Sequence, residues 1–350
     1  MEKFSKWRDS GTGIQPFLQP VPTRTQRGLV LSAFGLVKDY IVGPLLAGIR
    51  LTALATITVV DCATNALGSL LVIPSVKRAW SRCTRSLLAA LALFILGFHW
   101  IDTKTVGLQK GRRTSKEVRQ RGQKKRQRNV RSGDIIIANH ISYIDILYLV
   151  ARYNPVFIEI DNATTYARPV SMWSALRSPA RQTPALLQAK DARPLKAITE
   201  EARIGCLGPV VVFPENATSN GRALLQFLSV FEEVENQDEK STIHIMAFKY
   251  PFQSFSPTFS VGNQLTHLFR LGCQMYNSLV IRVLEQDEAP RIADSAMFCD
   301  EDAEPVDLDE AVKAKLLQLS RLRMTKLTAM DKRDFLAFYY LRSKGYRPTI

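Results

Sequence analysis

Four short apolar runs constrain this chain most: DIIIAN (134–139), PVFIEI (155–160), GPVVVFP (208–214) and TIHIMAF (242–248). None alternates apolar with polar residues, so each reads as a strand buried on both faces. Such strands need helices on two sides. Stretches with helical spacing, including YIDILYLVARY and PLKAITEEARI, lie between the runs. The alternation predicts an α/β domain with a central mixed sheet flanked by helices.

Upstream the composition changes sharply. LTALATITVVDCATNALGSLLVIPSV (51–76) carries one formal charge, Asp61, and SLLAALALFILGFHWI (86–101) carries none. At 1.5 Å per residue the second stretch covers about 24 Å, short of a hydrocarbon core of about 30 Å. The first is long enough to cross, but Asp61 and Asn65 lie mid-run, where a charge or amide needs a partner. Arg50, Lys77, Arg78, Arg82 and Arg85 flank or separate the stretches. Keeping these cations on one side predicts an N-terminal membrane-embedded helical hairpin, dipping into the cytosolic leaflet. A single true span and a buried core helix are the alternatives.

The formal net charge is +15. Twelve Lys or Arg against one acid, Glu117, fall between Lys104 and Arg131, in a segment poor in apolar residues. It reads as a disordered linker. Following a membrane hairpin, its expected partner is an anionic leaflet. No nucleic-acid partner is expected, because no aromatic interleaving, zinc knuckle or recognition helix accompanies the run. Five widely spaced cysteines without a C-x-x-C pair argue against a disulfide framework and a zinc site, and no metal is expected.

The resulting division is a flexible tail (1–27), membrane-anchoring helices (28–103), a basic linker (104–132), a core domain (133–286), and an acidic linker with C-terminal helices (287–350). In the last part, DLDEAVKAKLLQLSRLRMTKL reads as one amphipathic helix, acidic at its start and basic at its end.

The chemistry centres on NHISYID (139–145). Ser142 with Asp145 three residues later has the form of a capping box, and on that reading His140 merely ends a strand. The same spacing also holds His140 and Asp145 on opposite sides of one tight turn. Asp145 then accepts from one imidazole nitrogen while the other faces a cleft, as a histidine general base requires. No G-x-S-x-G or similar nucleophile motif is present, which favours direct base-assisted transfer over a covalent enzyme intermediate. Further on, Pro214 ends the run GPVVVFP and places Glu215 just past a strand end. Asn216, Thr218, Ser219, an Asn220-Gly221 turn signal and Arg222 follow. Ligands of α/β sheets bind at such strand ends. His244, inside an apolar run, reads as a core histidine.

The order of hydrophobic hairpin, His-x4-Asp and Phe-Pro-Glu resembles the glycerophospholipid acyltransferase family, membrane enzymes that acylate glycerol-3-phosphate and lysophospholipids from acyl-CoA. The resemblance covers roughly residues 86–252. It implies catalysis by His140 with Asp145 as its orienting carboxylate. It further implies a substrate-binding set of Asn139, Phe213, Pro214, Glu215, Asn216, Thr218 and Arg222. Asn216 stands where the family usually has glycine. The family's phosphate-binding arginine has Lys190, or alternatively Arg193, as its counterpart in LLQAKDARPL. Thr218 and SNGRALLQF resemble the eukaryotic lysophospholipid branch, particularly its fungal lysophosphatidate enzymes. The implied reaction is transfer from acyl-CoA, a co-substrate, to lysophosphatidate, with no cofactor. Lysophosphatidylcholine or lysophosphatidylinositol acceptors and a catalytically silent membrane scaffold are the alternatives. The implied location is the endoplasmic reticulum membrane, with lipid droplets also compatible and the catalytic domain cytosolic.

Overall fold

The computed structural model describes residues 4–22, 38–108, 129–161, 164, 166–180, 192–231, 241–290 and 307–343. Two long helices, α1 (Gly43–Ser69) and α2 (Pro74–Ile95), come first, joined by four residues. Pro44 and Pro74 stand in their first turns, where a missing N–H costs no helical hydrogen bond. Next come β1 (Ile101–Val106), β2 (Ile135–Ala138), α3 (Tyr143–Tyr153), β3 (Val156–Ile160), β4 (Ala167–Val170), α4 (Met172–Arg177), α5 (Leu195–Ile204) and β5 (Val210–Val212). The chain closes with β6 (Ala223–Leu224), β7 (Ile243–Lys249), α6 (Gln264–Gly272), β8 (Leu279–Leu284), α7 (Leu308–Ser320), β9 (Arg323–Met324) and α8 (Ala329–Ser343).

Seven strands form one mixed sheet in the order β1-β8-β7-β2-β5-β3-β4. The β7–β8 and β3–β4 pairs are antiparallel and the others parallel. The four apolar runs supply its four neighbouring inner strands, β7, β2, β5 and β3. Their alternate residues feed two separate cores. Ile136, Ala138, Val211 and Met246 pack with Ala89, Leu93 and Leu149 on one face. Ile135, Ile137, Val210 and Val212 pack with Leu195, Ile198, Val312 and Leu316 on the other. Because both faces are covered, the strands show no polar alternation.

The sheet reaches beyond residues 133–286. Residues 101–106, read from sequence as the end of the hydrophobic segment and the start of the basic linker, form the edge strand β1 in parallel register with β8. Helix α7 seals the second core, and it ends at Ser320 because Arg321 turns left-handed (φ 59°), well short of the single helix expected through Leu327. Residues 4–22 are likewise docked instead of loose. Trp7 and Phe17 are buried against Phe335 and Leu336 of α8.

The two N-terminal helices form a hairpin that differs between its arms. Trp80 Nε1 donates to the Thr64 carbonyl at 3.0 Å, and Arg85 donates to Asn65 Oδ1 at 3.2 Å. Helix α2 turns Ala89, Ala92 and Leu93 into the domain core, as the core-helix alternative would have it. Helix α1 leaves Leu45, Ile49, Val59 and Leu67 exposed, and Tyr40–Ser69 is long and apolar enough to cross a membrane by length and composition. Asp61 is buried and accepts from Trp173 Nε1 at 3.3 Å, so the charge in the apolar run has a protein partner.

Candidate active site

Strand β2 ends at Ala138, and the next residues are fixed by side chains completing the ladder. The Asn139 amide bridges to β7, accepting from the Phe248 N–H at 2.7 Å and donating to the Phe248 carbonyl at 3.2 Å. That places His140 just past the C-terminal end of a central strand, where an α/β sheet presents its ligands.

Asp145 then closes the turn. Its Oδ2 accepts from the backbone N–H groups of Ile141 (2.8 Å) and Ser142 (2.9 Å) and bonds His140 Nδ1 at 3.1 Å. Its Oδ1 accepts from the Tyr250 hydroxyl at 2.6 Å. Ser142 caps α3, and Asp145 is the acidic member of the capping box. Capping and histidine orientation are therefore the same carboxylate in one geometry. A fully buried carboxylate only accepts hydrogen bonds, so it selects the Nδ1–H tautomer of His140 and leaves a lone pair on Nε2. Nε2 has no hydrogen-bond partner among the described residues. Tyr250 stays protonated, because burial and the Asp145 charge both push its hydroxyl far above the ordinary range.

The second motif meets the first directly. Phe213 lies on the His140 ring with centroids 4.3 Å apart and planes 19° from parallel. With that ring in place, 7% of the His140 side chain is exposed. Pro214 ends β5, and its carbonyl accepts from the Leu228 N–H. Glu215 is fully buried beneath the histidine, accepting from the His140 N–H at 3.3 Å and the Leu225 N–H at 2.9 Å. Burial pushes its carboxyl up to about 8, partly opposed by those two hydrogen bonds. Ser219 N–H returns to the His140 carbonyl at 3.1 Å. His140 is thus tied at both its backbone groups to the loop that follows Phe-Pro-Glu.

Asn216 adopts a left-handed φ of 47°, a conformation that glycine takes freely and asparagine more readily than most residues. Its amide donates to the Ile160 carbonyl at the end of β3 at 2.8 Å. Thr218 is buried under Lys332, whereas Arg222 is exposed, with its N–H on Asn220 Oδ1 at 3.1 Å. Arg193 sits elsewhere, its backbone bridging Ala167 of the edge strand β4 and its guanidinium 3.0 Å from Glu201. Strand β4 is three strand spacings from β2, about 14 Å. Lys190 lies outside the described residues.

Three contributors carry no signal in the motifs. Tyr250 lies just past β7, and its hydroxyl holds Asp145. Lys332 reaches the loop from α8, and Pro16 from the N-terminal segment accepts the Asn220 N–H at 2.8 Å.

A relative from Schizosaccharomyces pombe, a putative lysophosphatidic acid:oleoyl-CoA acyltransferase, is 28% identical over 344 residues, spanning 96% of this chain and 97% of its own. Over nearly its whole length the chain is thus similar to a protein named as an acyltransferase. A lysophospholipid acyltransferase of Arabidopsis thaliana, LPEAT1, is 26% identical over 212 residues, covering 56% of this chain and 50% of the plant protein. The crystal structure of the 1-acyl-sn-glycerophosphate acyltransferase PlsC from Thermotoga maritima aligns with 79% of the chain and 97% of its own, at 15% identity and a TM-score of 0.38. That score is too low to support the fold, which rests on the sheet order and register. No protein-family model matches.

Proposed function

We propose that this protein belongs to the glycerophospholipid acyltransferase family and moves an acyl group from acyl-CoA to the free hydroxyl of a lysophospholipid, with lysophosphatidate as preferred acceptor and His140 as general base. One observation carries the reading: the Asp145-oriented imidazole at a strand end, with its Nε2 lone pair unclaimed. The acceptor hydroxyl gives its proton to Nε2 as its oxygen attacks the thioester carbonyl. The tetrahedral species collapses with cleavage of the C–S bond, and the imidazolium returns the proton to the CoA sulfur. Asp145 stabilises the imidazolium in between. Phe213 covers one ring face, so the acceptor approaches along the Nε2 edge.

The names of the fungal and plant relatives support a lysophospholipid acceptor, and the fungal name supports an acyl-CoA donor. Arg222, on the loop braced by Glu215 and Thr218, faces the acceptor, joined by Lys190 as the phosphate cation; Arg193, paired with Glu201 at the sheet edge, does not reach it. The exposed apolar face of α1 lies in the cytosolic leaflet, and the basic segment adjoins anionic lipid, where each cation contributes about 1 kcal/mol. On this reading the protein works at the endoplasmic reticulum membrane or on lipid droplets.

Acyl transfer by the purified full-length chain tests the proposal, using one labelled acyl-CoA and a panel of lysophosphatidate, lysophosphatidylcholine and lysophosphatidylinositol. The expected result is highest kcat/KM with lysophosphatidate. His140→Ala should lose about 10²- to 10⁴-fold in turnover with its fold retained. Wild-type turnover in that variant ends the general-base reading.

A further inference from the structure

The loop 215–222 is held by both ends of the chain. From the N-terminal segment, the carbonyls of Gln15 and Leu18 accept from the Asn220 amide at 2.7 and 2.8 Å, while Pro16 takes its N–H. From α8, Lys332 donates through Nζ to the Thr218 carbonyl at 2.8 Å and to the Thr218 hydroxyl. The two ends are locked together as well: Phe335 meets Trp7 and Phe17 with ring centroids 5.3 and 5.5 Å apart.

Lys332 is only 4% exposed. A buried ammonium is expensive unless it is hydrogen-bonded and balanced by an anion, so a lysine used solely to pack α8 would be a poor choice. Burial lowers its ammonium to about 7, and the nearby Glu215 carboxylate opposes that shift. Glu215 in turn bonds the His140 N–H, and Ser219, next to Thr218, bonds the His140 carbonyl. A buried lysine of α8 thus braces the loop directly attached to His140.

We propose that Lys332 is a positioning residue of acyl transfer: its amino group, held by Thr218 beside the buried Glu215, sets the acceptor loop against His140. This rests on the acyltransferase reading above. Lys332 touches no reacting atom and acts through Thr218 and Glu215.

Steady-state kinetics of the full-length chain, with acyl-CoA and lysophosphatidate varied separately, test it. Lys332→Met should raise the acceptor KM about tenfold, the scale of one lost charge-assisted hydrogen bond, while the acyl-CoA KM stays within about twofold. Lys332→Arg should recover part of the loss. The double variant Glu215→Gln/Lys332→Met should be less impaired than the product of its singles, because each single leaves one ionisable group buried alone. Should Lys332→Met fail to fold, Lys332→Gln, which keeps an amide donor but a shorter and uncharged reach to Thr218, should show a smaller rise in the acceptor KM, with the acyl-CoA KM again unmoved. Unchanged acceptor KM, or an equal change in both KM values per folded molecule, overturns the inference. His140→Ala is assayed alongside: wild-type turnover there defeats the reaction itself, whereas an inactive His140→Ala beside unaltered Lys332 variants defeats only the role of Lys332.

Discussion

His140 bonds Asp145 at 3.1 Å just past one end of β2, and His244 bonds Asp134 at 3.3 Å beside its other end. Both imidazoles and both carboxylates are buried. Their surroundings differ. Asp134 accepts from the N–H groups of Arg131 (2.7 Å) and Thr242 (3.1 Å), so with His244 it staples the entrance of β2 to that of β7. His244 sits within a strand, paired in register with Ile136, and is fixed by the ladder on which it stands. His140 has left the ladder, presents Nε2 without a protein partner, and is joined through its backbone to a second polar loop. A histidine–carboxylate distance does not by itself mark a site. Position at the C-terminal strand end, against a second polar loop, does.

The largest expected effect divides the two histidines. His140→Ala should lose turnover by about 10²- to 10⁴-fold per folded molecule. His244→Ala should do the opposite: stability falls by about 1–3 kcal/mol, because part of the Asp134 carboxylate loses its donor, and turnover per folded molecule holds. Denaturant midpoints measured beside kcat check this. An equal loss of kcat in both variants would break the comparison.

The carboxylates sharpen it further. Asp145 does two jobs, so Asp145→Asn should lose turnover on the order of 10²-fold or more and also about 1–3 kcal/mol of stability, since the new amide turns a donor toward donors. Asp134→Asn should show only the stability loss. Kinetics of Asp145→Asn that match wild type per folded molecule would reduce that residue to a helix cap.

The four inner strands and the His-x4-Asp turn were legible because their signals are local: uninterrupted apolar runs, and two polar residues five apart around one cap. Asn216 in a left-handed turn was nearly legible, as the substitution of one residue tolerant of that conformation for another. The parts that were not legible act across the chain. Lys332 and Thr218 are 114 residues apart, Tyr250 and Asp145 are 105, and the Asp9 carboxylate that fixes the Lys326 N–H is 317 away. Nothing in a window around Lys332 distinguishes a buried ammonium from the many solvated ones. Strand β1 was missed for a related reason. IDTKTV is an edge strand, exposed along Asp102 to Thr105, and only its pairing with β8 makes it a strand.

The smallest effect is a pair of pH slopes of opposite sign. At the stapled end, burial works to raise Asp134, but hydrogen bonds from His244, the Arg131 N–H and the Thr242 N–H outweigh it and hold the carboxyl below its usual 3.8. Its stabilisation is present above that value and is lost as the pH falls through the lowered one. At the catalytic end, Glu215 is raised from 4.5 to about 8, so the native protein keeps a proton that the unfolded chain has released. Stability there falls as the pH rises through that window. Lys332, lowered from 10.5 to about 7, gives the reverse slope on the alkaline side, where the native protein has lost a proton that the unfolded chain keeps. Glu215→Gln should therefore gain on wild type, on the order of 1 kcal/mol, between about pH 5 and pH 7, while Asp134→Asn follows wild type across that range and departs only in acid. Urea midpoints across the pH series measure both. A Glu215→Gln curve parallel to wild type from pH 5 to 7, within these approximate limits, would mean that the carboxyl under His140 is already ionised, and the catalytic end would then titrate like the staple.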